Sequence, residues 1–346
     1  MIDNLSIHNF RCFQDFTLEK TTNINIVSAR NNVGKTSLLE SIFFLLGFNN
    51  PDLFIKTNFI RGIFINLFSP DITWEHFFYL KNIEKKIFIS SRINNSDISV
   101  TFEKDETFNI NQSIIPIEKE LRPVQDGYPL KITFLYGDNN YVGHVVPLQK
   151  SLTTTWSNVF PKDILPIVQY LGPNSEHPQN IVSTFGRLEK AGKKETLIKI
   201  FQILDNDLED ITTIFEEAPR LYAKKHGEPL LPLSVMGNGL CKLISIICAM
   251  LDKPNSIILI DEIETGFHHK FLFNLWEIIE NISIENNIQI FATTHSFECI
   301  KAASKAISNK ENIMYVRIGK NKYGIKPYIF DGSDLEFSIE QNMEIR

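Results

Sequence analysis

Cysteine is scarce in this chain of 346 residues. Its four cysteines, Cys12, Cys241, Cys248 and Cys299, form no C-x-x-C pair and no cluster with histidine. That argues against a disulfide framework and against a zinc site of the usual spacing. Cys241 and Cys248 stand seven apart in an apolar stretch and read as buried helix residues. Long apolar runs are missing too: the greasiest segments, 41–48, 244–251 and 257–260, fall far short of the roughly 18 residues of a membrane-spanning helix. The opening MIDNLSIHNFRCF shows no basic stretch ahead of an apolar core, so no secretory signal is expected and the chain is read as cytoplasmic, with no membrane partner. Nor is positive charge in surplus, since 35 Lys and Arg against 41 Asp and Glu leave a net charge of −6. Sequence-independent coating of nucleic acid is therefore not expected, and nucleic acid remains a partner only through a local basic patch. Lys190, Lys193, Lys194 and Lys199 are the candidates for one, beside the plainer reading of a solvated helix face.

What is present is a globular composition, 43% hydrophobic and 22% charged, with 27 Phe to build an aromatic-rich core. The length suits two lobes, or one large domain with an insertion. Residues 2–10 alternate apolar and polar, and Phe13 and Phe16 continue the extended pattern. A short buried strand is expected at 23–27 and a helix at 35–47. The middle differs in character. Segments 86–108 and 131–146 alternate around Asn94-Asn95 and Gly137-Asp138-Asn139-Asn140, and read as antiparallel hairpins. Residues 109–130 read as an irregular connector, and 187–210 as one amphipathic helix with Leu188, Leu197, Ile198, Ile200, Phe201 and Leu204 on a face. From Leu231 an α/β rhythm returns, with helices at 239–251, 268–282 and 296–307 and strands at 256–260, 288–293 and 312–318. Such alternation predicts a mainly parallel sheet.

The segment Ala29-Arg30-Asn31-Asn32-Val33-Gly34-Lys35-Thr36 fits the phosphate-loop pattern G-x-x-x-x-G-K-[ST] at every required position except the first. Successive backbone N–H groups ahead of a helix N-terminus make an anion nest. Lys35 would reach the β- and γ-phosphates, and the Thr36 hydroxyl would ligate Mg²⁺. If the first position needs positive φ, Ala29 costs about 1 kcal/mol against glycine. Ser256 to Ile260 form an apolar strand ending in Asp261-Glu262. The strand delivers Asp261 to the edge where open α/β sheets bind ligands, so Asp261 holds the metal and Glu262 polarises the attacking water. His295 closes the next strand, in FATTHS, placed to donate to the γ-phosphate. His268-His269 read as surface residues, because adjacent helical side chains diverge. The small residues around Gly237 and Gly239 precede a helix and admit either an anion site or a plain cap.

These residues together resemble the ABC-type ATPase heads of the SMC, RecF and OLD class. More closely, they resemble small stand-alone bacterial ATPases of the AAA type, several of which occur in anti-phage operons. LSIHNFRCFQDFTLE followed by ARNNVGKTSLLES is similar to the first strands and Walker A of that class. LIDEIETGFHH is similar to its Walker B and D-loop, FATTHSFECI to its switch-histidine segment, and LPLSVMGNGLCKLISIICAML occupies the signature position. The resemblance implies an α/β fold, an ABC-ATPase-like head with a mainly parallel central sheet plus an antiparallel β and helical middle lobe. Residues 1–50 and 231–346 would form the head and 51–230 the inserted lobe. It implies ATP and Mg²⁺ as cofactors, with Arg11 and residues 29–37, Ser37 included, on the nucleotide. Ser234, Met236, Gly237, Asn238 and Gly239 would complete a neighbour's site, and Glu262 and His295 would be catalytic. The function so implied is a Mg-dependent ATPase whose two heads close around ATP, as a homodimer or within a higher oligomer, and switch a separate effector in anti-phage defence. Two other readings stay open: a RecF-like DNA-repair ATPase that grips DNA, and an ATP-binding scaffold without turnover.

Overall fold

The computed structural model describes residues 1–30, 32–62, 74–108, 128–147, 152–157, 164–173, 178–215, 217–322, 324–341 and 343. They gather into two compact units. One comprises Met1–Thr21, Arg30–Pro166 and Ile318–Tyr328; the other Thr22–Ala29, Ile167–Arg317 and Ile329–Arg346.

In the first unit β1 (Leu5–Phe10) and β2 (Phe13–Leu18) form a hairpin that buries Leu5, Ile7, Phe10, Phe13, Phe16 and Leu18. The hairpin does not stand apart from the middle of the chain. It joins β4 (Ile87–Ile93), β5 (Ser96–Lys104), β6 (Leu130–Tyr136), β7 (Asn139–Pro147) and β8 (Leu152–Trp156) in one antiparallel sheet, ordered β2-β1-β4-β5-β6-β7-β8. The two expected hairpins are β4–β5 and β6–β7. Asn94 and Asn95 turn the first with φ of 49° and 65°, the left-handed pair that a two-residue turn needs. Helices α1 (Lys35–Gly47) and α2 (Asp52–Ile60) complete the core, which is aromatic. Phe44 of α1 meets Phe10, Phe54, Phe77 and Phe102 with ring centroids 4.9–5.7 Å apart, and Phe48 stacks on Phe134 at 4.0 Å.

The second unit holds β3 (Ile24–Ala29), β9 (Val168–Leu171), β13 (Ile257–Ile260), β14 (Gln289–Thr294) and the parts of β15 (Ile313–Asn321) and β16 (Gly324–Asp331) outside 318–328; the strand order is β16-β15-β3-β14-β13-β9. β9, β13, β14 and β3 pair in parallel, and every residue of β3, β13 and β14 is buried. That burial is the mark of a sheet covered on both faces. Helices α3 (Pro178–Lys190), α4 (Lys194–Gln202), α5 (Asn238–Asp252), α6 (Leu272–Glu285), α7 (Phe297–Ala306) and α8 (Gly332–Glu340) contribute to this unit's core. A small antiparallel sheet, β10 (Leu208–Phe215), β11 (Pro219–Lys225) and β12 (Leu231–Pro232), packs on it. Among the described residues no helix is long and apolar enough to cross a membrane.

One expectation changes. The single helix at 187–210 is two helices and the start of a strand. α3 ends where Gly192 takes φ of 77°, with the Lys193 N–H donating back to the Leu188 carbonyl; α4 stops at Gln202 and β10 begins at Leu208. A left-handed glycine with that back-bond is a helix stop that hydrophobic spacing does not register. β1 and β2 belong with the antiparallel sheet, whereas 167–230 belong with the parallel one. The connector expected at 109–130 lies almost wholly outside the described residues.

Candidate functional site

Register aligns the chemistry at one edge of the parallel sheet. Ile260 of β13 faces Ala292 of β14, which faces Ile26 of β3. Asp261, His295 and Ala29 therefore all leave the C-terminal ends of neighbouring parallel strands, the edge where such sheets bind ligands.

Asp261 is 3% exposed, and each carboxylate oxygen takes a hydroxyl donor. Thr293 Oγ1 donates to Oδ1 at 2.5 Å and the Tyr170 hydroxyl to Oδ2 at 3.1 Å. The same Thr293 oxygen accepts the Glu262 N–H at 2.8 Å, so one side chain of β14 sets both acidic residues. Glu262 is left-handed, φ 50°, a conformation that a non-glycine residue keeps only when its surroundings hold it. The turn aims its carboxylate at His295, with Oε1 3.1 Å from Nε2, while the Thr265 hydroxyl donates to Oε2 at 3.3 Å. Glu264 accepts the His295 backbone N–H on Oε1 at 2.8 Å. Beneath the turn lies Lys242 of α5, 4% exposed, whose Nζ donates to the carbonyls of Glu262 at 2.5 Å and Asp261 at 3.3 Å. Burial pulls its ammonium below the ordinary lysine range, against Glu264, Glu262 and Asp261, which favour the charge.

The phosphate loop follows β3. Ala29 is the last residue of that strand and extended, so the missing first glycine carries no backbone penalty here. Arg30 and Asn32 are exposed, Val33 is half-buried, and Asn31 lies outside the described residues. Gly34 does need to be glycine. Its φ is 112°, and a Cβ there would stand 2.7 Å from Cys12 Sγ and 2.8 Å from Phe13 Cζ. It opens α1, whose first turn holds no acidic residue and no side-chain cap, the charge pattern that suits an anion at a helix N-terminus. Lys35 and Ser37 are buried in that turn, with Thr36 half-buried between them.

Arg11 was expected on the nucleotide. In this structure its guanidinium donates to Glu40 of α1 at 3.0 Å and to the His76 carbonyl at 3.0 Å, over the Phe77 ring at 4.1 Å. Arg61 binds the other side of Glu40 at 2.7 and 2.9 Å and reaches the Ser37 hydroxyl at 3.1 Å. Burial pulls the Arg11 guanidinium down to about 10, so it stays charged near neutrality.

The signature segment divides in two. Ser234, Gly237 and Asn238 are exposed, and Gly237, at φ 98°, has open space where a Cβ would be. Met236 packs on the core. Gly239 faces inward: a Cβ there would lie 2.5 Å from the Gly266 carbonyl oxygen. Sequence reasoning missed Thr293, Tyr170, Glu264 and Lys242. A lone lysine inside the apolar LCKLISII and two threonines closing a buried strand were the available signals.

A family model described as "AAA domain, putative AbiEii toxin, Type IV TA system" matches residues 30–299. The chain belongs to this family. An "ATP/GTP phosphatase" of Helicobacter pylori is 26% identical over 370 aligned positions covering 98% of each chain. A DNA replication and repair protein RecF of Pediococcus pentosaceus is 46% identical over 44 residues, 13% of this chain and 12% of that protein. Among solved structures, an SMC head bound to the C-winged helix domain of ScpA superposes at TM-score 0.54 with 13% identity, covering 98% of this chain and 99% of that one. An SMC head with an extended coiled coil, bound to the C-terminal domain of ScpA derived from Pyrococcus furiosus, gives 0.51 with 12% identity and 99% coverage of both chains. The fold is that of the SMC head.

Proposed function

We propose that this family member is a Mg-dependent nucleoside triphosphatase, acting on ATP, whose two copies close around the nucleotide and switch a separate effector. The observation that carries the reading is the Glu262–His295 contact of 3.1 Å beside an Asp261 fixed by two hydroxyls. Lys35 takes the β- and γ-phosphates at the start of α1. Thr36 and Asp261 would hold Mg²⁺: hydroxyl and carboxylate are the hard oxygen donors it prefers. When bound, the ion supplies charge neutralisation on the phosphoryl oxygens. Glu262 accepts a proton from water as that water's oxygen bonds to the γ-phosphorus and the bond to the bridging oxygen breaks. His295, half-exposed on its strand end, donates to the γ-phosphoryl oxygens.

The exposed Ser234, Gly237 and Asn238 at the uncapped start of α5 support a signature face that completes a neighbour's site. The Helicobacter relative, described as an ATP/GTP phosphatase, supports triphosphate hydrolysis, and the family description names a toxin of a Type IV TA system, which is compatible with a role beside a separate effector. A DNA-gripping role draws less support: Lys194 is tied to Glu189 and Asp210, and Lys193 to the Leu251 carbonyl.

The test is Glu262→Gln, with ATP and GTP turnover, nucleotide binding and solution mass measured together. Turnover should fall about 10²–10⁴-fold. ATP should still bind, and an ATP-dependent dimer should accumulate. Parental turnover in the variant refutes the assignment, and a parent inactive on both nucleotides, with and without DNA, leaves the scaffold reading standing.

A further inference from the structure

α5 touches the catalytic turn at both ends. At one end Lys242 Nζ donates to the Asp261 and Glu262 carbonyls; at the other, the Gly239 backbone lies against the Gly266 carbonyl so closely that no side chain fits. Gly266 is itself left-handed, φ 89°, with Asn238 and Gly239 backbone atoms 3.2 Å from the site of its missing Cβ. The two contacts are three residues apart on α5, about one helical turn. They bracket 261–266, the stretch that carries Asp261, Glu262 and Glu264. The helix making them begins directly after the exposed Gly237.

We propose that Lys242 is a positioning residue that locks the left-handed Glu262 to α5, so that the base is set by the helix bearing the signature face. This rests on the assignment of Glu262 as the base. A left-handed glutamate needs an external restraint. Thr293 supplies one on the amide side through the Glu262 N–H, and Lys242 supplies the other on the carbonyl side. Freed of the second restraint, the peptide after Glu262 can rotate and the carboxylate leaves its place by about an ångström, a displacement that costs on the order of 100-fold in rate. Phosphate binding is not touched, because Lys242 spends its donors on backbone carbonyls of the turn. Movement of the start of α5, as when a neighbour's nucleotide meets Gly237, is passed to the turn as a rigid shift through both contacts.

The experiment compares the parent, Lys242→Met, Lys242→Arg, Glu262→Gln and the double variant Lys242→Met/Glu262→Gln in the full chain. Steady-state kcat and KM, ATP affinity and thermal midpoint are measured. In Lys242→Met, kcat should fall about 100-fold while KM and ATP affinity stay within about threefold. The thermal midpoint should fall by several degrees, because the Asp261 and Glu262 carbonyls lose their buried donor, so the kinetics are read well below it. Lys242→Arg, which keeps cationic donors at similar reach, should recover most of the rate. The double variant should be no slower than Glu262→Gln alone, as two residues serving one step are non-additive. Parental kcat in Lys242→Met overturns the inference. So does an Arg variant as slow as the Met variant, or a double variant in which the losses multiply. If Glu262→Gln itself turns over at the parental rate, the functional reading has failed and this inference with it.

Discussion

Glu40→Gln removes one charge from the most enclosed ion cluster described in the first unit. Glu40 is 1% exposed, the Arg11 side chain 6% and the Arg61 side chain 32%. The carboxylate accepts from Arg11 Nε at 3.0 Å, and from Arg61 Nε and Nη2 at 2.7 and 2.9 Å. Glutamine keeps the volume and one acceptor oxygen but leaves Arg11 buried without its counter-charge. Breaking a buried pair costs about 3–5 kcal/mol, and the retained amide oxygen puts this case at the lower end, about 3 kcal/mol. For a unit of this size that lowers the midpoint by about 6–12 °C. Arg61 is a third exposed and can turn to water, so Arg61→Lys should cost only about 1 kcal/mol, through loss of the two-pronged geometry. Calorimetry on the full chain should resolve the first unit's transition and show the difference between the two variants. Because α1 carries Lys35 and Thr36 at its start, the KM for ATP should rise in Glu40→Gln with little change in kcat. A midpoint within about 2 °C of the parent would mean the triad is worth no more than a surface pair.

Gly239→Ala should destabilise the second unit by about 1–3 kcal/mol, because its Cβ would meet the Gly266 carbonyl oxygen at 2.5 Å; urea unfolding measures it, and a neutral result would show that the turn can give way. Cys299 is fully buried and its thiol is pushed up to about 12 by desolvation, with Glu264 adding to it. A maleimide at pH 8 should therefore leave Cys299 unlabelled in the folded chain and label it in urea, as mapped by mass spectrometry. The sign with pH follows. Above the unfolded thiol's 9.0 the unfolded chain sheds a proton that the folded one keeps, so stability falls from pH 9 towards about 12. Rising stability across that window would contradict the burial.

Strands and helices with one dominant period are legible in the sequence. The β1–β2 hairpin, α1, β4 to β7 and the run from α5 to β15 stand close to where spacing put them. The failures share a cause. Leu188, Leu197 and Phe201 all face one core, so α3 and α4 present a single helical stripe although Gly192 breaks the chain between them. β9 is four residues long and is defined only by its partner β13. At the candidate site, the places of Asp261, Glu262 and His295 just after β13 and β14 were readable because strand ends announce themselves. Thr293, Tyr170 and Lys242 were not, because their importance lies in which neighbour the sheet register or helix packing brings to them.

The β1–β2 turn offers three consecutive residues to the phosphate-loop helix: Arg11 to Glu40, and Cys12 and Phe13 to Gly34. Arg11 and Glu40 are 29 positions apart in the chain, whereas Asn25 of β3 reaches the Ile290 carbonyl across 265. Closing the longer loop costs about 2 kcal/mol more in chain entropy. A nascent chain can thus seat the start of α1 on its hairpin soon after both have been made, while the strand between them waits for β14 to be synthesised. The cradle for the phosphates should precede its acidic partner in folding, and pulse-labelled hydrogen exchange would show α1 protected before β3.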